Sequence, residues 1–206
     1  RRGAEADWAE KVVVSDYDFE RAKKVANEIC GGGKFIPEQI NAMDAESIKE
    51  VVKKHGITFA MNACDPRMNA TIFDTCLEIG IGYLDCALTL GTEHPEKPYE
   101  LSNIKLGDYQ FAKQKEWEAS GQIALCGSGV EPGMADVFAK YAEKHLFDKI
   151  DEVNVRDGDN YGNTDSDFGF SVWTTIEECL QPPVIWEKNE EYPQGHWFCT
   201  ENFSVD

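Results

Sequence analysis

The sequence predicts an α/β protein organised around a doubly wound parallel sheet, and three observations support this fold class. Short apolar runs that suit buried strands alternate with segments whose apolar residues recur at helical spacing. The links between them are short, as in sheets whose parallel strands are joined by helices. Residues 126–136 combine the end of a strand, closely spaced glycines and the start of a helix, which is typical of a loop that approaches a ligand at a sheet edge.

Strands and helices are predicted in alternation over the first 147 residues. The strands are short apolar or β-branched runs at 12–14, 35–36, 58–63, 82–86 and 122–126. The helices have an apolar face and lie at 18–29, from 44 onward, and at 69–79, 108–120 and 134–146. Asp18 and Asp44 are predicted to cap the first two helices, because their side chains accept hydrogen bonds from free N–H groups. Gly31–Gly33 is predicted to end the first helix, and residues 91–106 are predicted to form a loop.

The pattern changes near residue 148, where a domain boundary is predicted. Ile150–Arg156 alternates apolar and polar residues, as a strand with one solvated face does. A polar loop, a run from Phe168 to Trp173 and a short helix at 174–180 are predicted to follow. These residues are too few for a complete second domain. We therefore expect residues 1–147 to form one domain and residues 148–206 to be the start of another.

Composition excludes several classes of protein. The formal net charge of −18 makes nucleic acid and anionic membrane surfaces unfavourable partners. No apolar run approaches the roughly 20 residues that span a bilayer, and the first residues lack the apolar core of a signal peptide. The seven cysteines form no Cys-x-x-Cys pair and the four histidines are scattered, so no metal site is predicted. We expect a soluble protein of the cytoplasm.

Asp16 follows the first predicted strand, where a dinucleotide-binding unit places the carboxylate that holds the adenine ribose. The glycine-rich fingerprint of such a unit lies about 20 residues earlier. Counting back from Asp16 passes residue 1, so the first strand and its glycine loop are expected to lie outside this sequence. The alternative interpretation makes Asp16 only a turn and helix-capping residue.

Several segments along nearly the whole chain share their order and spacing with one known family. They are Val12–Asp18, Asn62–Pro66, Cys76–Asp85, Gly127–Phe138, Trp173–Leu180 and Pro182–Glu187. With these segments the chain resembles the saccharopine dehydrogenase family, including its saccharopine reductases and carboxynorspermidine dehydrogenases. The most similar segment is Gly127–Phe138, and the lack of a glycine fingerprint is the clear departure.

The resemblance implies a Rossmann-type domain followed by part of an α/β substrate and dimerisation domain. It also implies a homodimer with NAD(P) at the carboxyl edge of the sheet. The implied reaction is hydride transfer between the nicotinamide and the amine or imine carbon of an amino acid conjugate or a polyamine. The implied cofactor-binding residues are Asp16, Asp44, Asn62, Ala63, Pro66, Gly129, Glu131, Pro132 and Gly133. Asp16 favours NAD over NADP, because a carboxylate accepts hydrogen bonds from the free ribose diol and repels a 2′-phosphate.

Proton transfer at the substrate amine needs a titratable group at the sheet edge. The candidate catalytic residues are Glu131, Asp136 and Asp65, with Asp85 also at the edge. Glu131 is the first choice because it lies in the glycine loop, but an exposed anion stabilised by the helix dipole explains it equally well. Asp136 lies in the first helical turn, where capping is an equal explanation.

Substrate carboxylates are best recognised by arginine. Arg67 is the first candidate and Arg156 the second, although a surface arginine explains either equally well. Trp173 is a candidate for shaping the substrate pocket, with a core residue as the alternative. Cys64 lies near the expected nicotinamide site, and a packed thiol is favoured over a nucleophile.

Two functions of other classes stay open. A non-catalytic dinucleotide-binding module would bind the cofactor without turnover. An oligomer scaffold would assemble without binding it. Within the oxidoreductase class, carboxynorspermidine-type chemistry is the alternative to a saccharopine-like substrate.

Overall fold

The computed structural model of the chain describes residues 5, 7–28, 33–155, 172, 173, 176 and 180–200, and the structural statements below concern these residues. They divide into two compact units. The first unit is Arg1–Asp85 with Lys113–Cys126, and the second is Cys86–Ala112 with Gly127–Asp206.

The described residues form seven strands and six helices, apart from short turns. The strands are β1 (Val12–Asp16), β2 (Phe35–Gln39), β3 (Phe59–Asn62), β4 (Gly82–Asp85), β5 (Ala124–Leu125), β6 (Val184–Glu187) and β7 (His196–Cys199). The helices are α1 (Phe19–Glu28), α2 (Ala45–His55), α3 (Asn69–Ile79), α4 (Asp108–Phe111), α5 (Gln114–Ser120) and α6 (Met134–His145). All the strands and helices predicted over residues 1–147 are confirmed, except that the helix predicted at 108–120 is two helices.

The first unit contains two parallel sheets. β1 pairs with β2 along its whole length, and α1 packs on both strands. A second sheet has the order β3-β4-β5, with Asn62 opposite Asp85 at the ends of β3 and β4. The strands therefore have the parallel α/β arrangement that the sequence predicts, with carboxyl ends gathered at one edge of each sheet.

The predicted helix caps are confirmed in the first unit. The backbone N–H of Glu20 donates to Asp18 Oδ1 at 3.0 Å, and that of Glu46 donates to Asp44 Oδ1 at 3.0 Å. α2 ends at Gly56, whose φ of 61° is the left-handed conformation that glycine adopts without strain. These local signals account for the agreement between predicted and observed helix starts.

The core of the first unit lies between the three-stranded sheet and the helices α3 and α5. Phe73, Tyr83 and Trp117 meet there, with ring centroids 5.2 Å apart for Phe73–Tyr83 and 5.0 Å for Phe73–Trp117. All three are at most 5% exposed. This aromatic cluster holds β4 against α3.

The sequence predicts one continuous doubly wound sheet, whereas the described strands of the first unit form two sheets. Among the described residues, β1 is hydrogen-bonded only to β2, and β3 only to β4. In a dinucleotide-binding sheet the first strand lies between the second and the fourth, and β1 and β3 would be those two neighbours. A strand preceding β1, with its glycine loop, stays a prediction.

The described part of the second unit contains a loop, the helices α4 and α6, the helical residues 172, 173, 176 and 180, and a hairpin. The loop at 86–107 is tied by a bridge between Thr92 and Ile104, and α4 follows it. Strands β6 and β7 pair antiparallel, and a bridge joins Leu101 to Phe198 of β7. The loop and the hairpin are therefore parts of one packed body.

Two further sequence predictions differ from the structure, and one observed element is not predicted. The helix predicted at 108–120 is interrupted at Ala112 and Lys113, and the Lys113 side chain donates to Asp74 of α3 at 2.5 Å. The strand predicted at 150–156 is wrong for residues 150–155, because no described strand pairs with them. The hairpin β6–β7 is not predicted. The loop predicted at 157–167 lies outside the described residues, as do most residues of the run predicted at 168–173 and of the helix predicted at 174–180, whose described residues 176 and 180 are helical.

No helix in the described part of the chain combines the length and apolarity that crossing a membrane requires.

Candidate functional site

Polar residues stand at or just after the ends of four strands in the first unit. Asp16 ends β1, Asn62 ends β3, Asp85 ends β4 and Cys126 follows β5. Carboxyl ends of parallel strands are where open α/β sheets bind ligands. This carboxyl edge, defined by the four residues, is the candidate site of the first unit.

The Asp16 side chain is partly exposed and also contacts neighbouring groups of the protein. Its Oδ1 accepts a hydrogen bond from the Asp18 backbone N–H at 2.9 Å, and its Oδ2 lies 3.8 Å from the Arg21 guanidinium. The side chain is 30% exposed. Asp16 therefore forms the turn of the alternative interpretation, and its carboxylate as a whole is partly exposed, as contact with a ribose hydroxyl requires.

The turn at 63–65 follows β3 and is fixed by the Asn62 side chain. Asn62 is 4% exposed, and its Oδ1 accepts from the Cys64 backbone N–H at 2.9 Å. Ala63 is exposed, while Pro66 is buried at the start of a 3₁₀ turn that leads into α3. Backbone groups of an exposed turn held by a buried anchor suit close contact with a ligand.

Asp65 and Arg67 bind each other. Arg67 Nε lies 2.8 Å from Asp65 Oδ1 and its NH2 group 3.1 Å from Oδ2, a two-point pair. The Arg67 guanidinium holds the pKa of Asp65 below its ordinary value. Asp65 is therefore held as an anion, which suits an ion-pair partner better than a proton donor. Arg67 would have to share Asp65 with a substrate carboxylate.

Cys64 lies among carboxylates at this edge. Cys64 as a residue is exposed, but desolvation of its thiol by neighbouring protein atoms raises the pKa of the thiol, and the negative charges of Asp16 and Asp65 raise it further. The charge of Asp16 thus acts on the turn that follows β3. Because the thiolate is the nucleophile of a cysteine, this environment favours an unreactive thiol.

We expect iodoacetamide to alkylate Cys64 several-fold more slowly than a free cysteine side chain at neutral pH. Asp16→Asn removes one nearby negative charge, so the pH–rate profile of Cys64 is expected to move to lower pH. The rate is measured by mass spectrometry of the peptide that contains Cys64. Glu20→Gln, which neutralises an exposed carboxylate of α1, is the control, and an equal shift in both variants would contradict the proximity of Asp16.

The second unit holds the glycine loop at 127–133, which follows β5 in the chain. A Cβ atom on Gly129 would lie 2.5 Å from the Cys86 carbonyl oxygen. On Gly133, whose φ is 127°, a Cβ would lie 2.5 Å from the Gly127 carbonyl oxygen. The peptide bond between Glu131 and Pro132 is cis. The glycines are therefore required by close backbone packing, in agreement with the alternative of a tight connection.

The candidate proton-transfer residues of this loop differ in their surroundings. Asp136 Oδ2 accepts from the Gly133 backbone N–H at 3.0 Å, so Asp136 caps α6. Glu131 is exposed. Trp173 is 60% exposed, so its interpretation as a core residue is wrong. Arg156 lies outside the described residues.

Two residues near the edge are not among those predicted from the sequence. Asn69 and Tyr83 are buried and hydrogen-bonded to Asn62. One signal was available for Tyr83, because it stands two residues before Asp85 and a strand directs such residues to the same face. In the part of the chain that the structure describes, no group of His, Cys, Asp and Glu side chains is arranged to hold a metal ion.

Residues 3–125, which include Asp16, Asn62 and Asp85 of the carboxyl edge, match the family model of the saccharopine dehydrogenase NADP-binding domain. The chain belongs to the saccharopine dehydrogenase family. It is 32% identical to a carboxynorspermidine synthase of Vibrio alginolyticus over 161 residues, which cover 76% of this chain and 37% of that protein. It is 31% identical to a carboxyaminopropylagmatine dehydrogenase of Synechocystis, covering 94% of this chain and 45% of that protein.

A solved structure supports the family assignment at the level of the fold. The chain superimposes on the apo saccharopine dehydrogenase (L-Glu forming) of Saccharomyces cerevisiae with a TM-score of 0.51 and 12% identity, covering 70% of this chain and 27% of that one. The chain thus spans less than half the length of the family members it matches.

Proposed function

We propose that the protein is an NAD(P)-dependent oxidoreductase of the saccharopine dehydrogenase type that acts on a C–N bond. The observation that carries this proposal is the accessible Asp16 carboxylate at the end of β1, within the stretch that matches the family's NADP-binding domain. A carboxylate at that position suits the hydroxyls of an adenine ribose. The exposed turn at 63–65, next to it, suits the pyrophosphate and the second ribose.

The substrate that we propose is a carboxylated polyamine. Two similar proteins are named for carboxynorspermidine and carboxyaminopropylagmatine, which are both of this class. A saccharopine-like amino acid conjugate is the second candidate. Both classes contain a secondary amine and a carboxylate, so hydride transfer at a carbon bound to the amine nitrogen would serve either.

The bound dinucleotide supplies a hydride donor or acceptor at its nicotinamide ring. In this proposal Asp16 orients the adenine half and the turn at 63–65 orients the nicotinamide half. Glu131, an exposed carboxylate, is assigned to the substrate ammonium or to its proton. Arg67 is assigned to the substrate carboxylate, which would compete with Asp65 for the guanidinium.

We propose that the protein prefers NAD, although the family model is described by NADP. Asp16 supports this choice, since a carboxylate accepts hydrogen bonds from a ribose diol and repels a 2′-phosphate. Arg21 lies beside it, but at 3.8 Å its charge is already directed to Asp16. A guanidinium in that arrangement offsets the carboxylate only in part, because both side chains contact solvent.

Fluorescence titration with NADH and NADPH tests the proposal. We expect the protein to bind NADH at least about tenfold more tightly, a difference of about 1.4 kcal/mol. Asp16→Asn is expected to remove most of that preference, whereas Glu20→Gln is expected to leave it unchanged. A preference for NADPH would contradict the role of Asp16. If the folded protein bound neither dinucleotide, the proposal that it is an oxidoreductase would be contradicted.

Turnover separates the enzyme from a sensing module. The oxidation of carboxynorspermidine, carboxyaminopropylagmatine and saccharopine is followed by the absorbance of the reduced dinucleotide that appears. Reduction of the dinucleotide by one of the two polyamine conjugates is the expected result. Tight binding of NADH without turnover of any of the three would favour a module that senses the dinucleotide.

A further inference from the structure

Four polar side chains are buried together beneath the turn that follows β3. They are Asn62, Asn69, Tyr83 and Asp85, each at most 4% exposed. We name them the buried quartet. They come from the end of β3, from β4 and from the first residue of α3, so they bring three elements together at the carboxyl edge.

The quartet is a hydrogen-bonded chain. The Tyr83 hydroxyl donates to Asp85 Oδ2 at 2.8 Å and accepts from Asn62 Nδ2 at 3.1 Å. The same Asn62 amide group donates to Asn69 Oδ1 at 2.7 Å. The orientation of the Asn62 side chain is therefore fixed from two sides, with its amide nitrogen in the interior and its carbonyl oxygen towards the turn.

The chain of hydrogen bonds ends at an exposed turn. Asn62 Oδ1 accepts from the Cys64 backbone N–H at 2.9 Å, and Ala63 and Cys64 are exposed. A change in the position of the Asn62 side chain would therefore move backbone groups that face solvent. Buried hydrogen bonds thus control the geometry of an accessible segment.

The stability of the core does not by itself explain why polar residues occupy the four positions of the quartet. The Tyr83 ring packs against Phe73 and Trp117, contacts that a phenylalanine would also make. A buried carboxylate costs desolvation energy, and well-packed apolar residues often stabilise a core as well or better. Buried polar networks are instead suited to fixing one geometry.

The protonation state of the Tyr83 hydroxyl agrees with its role as a hydrogen-bond donor. Burial raises the pKa of Tyr83 above its ordinary value, and the nearby Asp85 carboxylate acts in the same direction. The hydroxyl is therefore protonated at neutral pH. It donates to Asp85 and leaves its oxygen lone pairs to the Asn62 amide.

We propose that Tyr83 and Asn69 are positioning residues for dinucleotide binding, which act through Asn62 on the turn at 63–65 and control affinity for the nicotinamide half. This inference rests on the proposed function, because it assigns the turn to that half of the ligand. The adenine half is assigned to Asp16, which ends β1 in the other parallel sheet of the first unit. The affinities for the adenine half and for the nicotinamide half are therefore expected to depend on different residues.

The test compares two variants that each remove one buried hydroxyl from the first unit. Tyr83→Phe removes the hydroxyl of the quartet. Thr75→Val removes a hydroxyl that is bonded to the Thr71 carbonyl oxygen at 2.7 Å in α3, outside the quartet. Affinities for NADH and for AMP are measured by titration at a temperature well below the unfolding midpoint of each variant. AMP is the probe of the adenine half alone.

We expect Tyr83→Phe to weaken NADH binding about tenfold, a change of the size of one hydrogen bond to a charged partner. Its AMP affinity is expected to match that of the unaltered protein, and Thr75→Val is expected to retain both affinities. If Tyr83→Phe does not fold, Asn69→Ala is measured in its place, since it removes the other partner of the Asn62 amide group.

The outcomes separate the inference from the function on which it rests. Unchanged NADH affinity in the variant would overturn the positioning role while leaving dinucleotide binding intact. Equal weakening of AMP and NADH, or a similar loss in Thr75→Val, would also overturn it, because a general structural effect would then suffice. Failure of the unaltered protein to bind either ligand would instead refute the proposed function.

Discussion

Replacing Phe73 by alanine is expected to lower the free energy of unfolding by about 3–5 kcal/mol, the usual effect of removing a buried aromatic ring. Phe73 is 1% exposed and lies at the centre of the aromatic cluster with Tyr83 and Trp117. The substitution leaves a cavity between α3 and the three-stranded sheet. Because small domains are stabilised by only about 5–15 kcal/mol, this loss is a large part of the total. Thermal and urea unfolding followed by circular dichroism measure it.

Phe138→Ala is the matched control for Phe73→Ala. Both residues lie within helices, but Phe138 of α6 is 65% exposed. The control is therefore expected to change stability by about 1 kcal/mol or less. A similar loss in the two variants would mean that the aromatic cluster does not carry the stability of the first unit.

The elements of the first unit could be predicted because their signals are local. Helix α3 has the bounds Asn69–Ile79 in both the prediction and the structure, since an apolar face and a following Gly80 in the left-handed conformation define it. The caps at Asp18 and Asp44 are likewise set within a few residues. Such features need no information about distant parts of the chain.

The hairpin β6–β7 could not be predicted in this way. The sequence of β6, Val-Ile-Trp-Glu, lacks the alternation of apolar and polar residues that identifies a half-buried strand. All four of its residues are exposed in the structure. The opposite error occurs at 150–155, where the alternation is present but no described strand pairs with the segment. Strand formation depends on a partner strand, and one segment of sequence does not specify its partner.

In the candidate site, too, the position of a residue on a strand could be predicted, whereas its side-chain partners could not. Asp16 and Asn62 could be placed at a sheet edge because parallel strands align their carboxyl ends. Other features of the site are hydrogen bonds between side chains, such as those of Asp65 with Arg67 and of Asn69 with Asn62. Such a bond forms only when the two side chains come within about 3 Å of each other. Periodicity fixes which face a side chain occupies but not which neighbour it meets.

Gly133→Ala is expected to disrupt the glycine loop at 127–133. At this φ of 127° a Cβ atom would lie 2.5 Å from the Gly127 carbonyl oxygen and 2.6 Å from that of Gly129. These neighbours are backbone atoms, which cannot rotate away as a side chain can. We expect the free energy of unfolding to fall by about 2–3 kcal/mol. If Glu131 of this loop acts on the substrate as proposed, turnover is expected to fall about a hundredfold.

Gly121→Ala separates crowding from backbone conformation in this experiment. Gly121 also has a positive φ, of 69°, but a Cβ atom there would meet nothing within 4 Å. Its substitution is expected to cost about 1 kcal/mol from the left-handed conformation alone. Calorimetry and amide hydrogen exchange at Met134, whose N–H donates to the Gly129 carbonyl oxygen, measure the difference. Equal costs and unchanged exchange at Met134 would show that the loop tolerates a side chain, and the close packing of its glycines would then have no role in function.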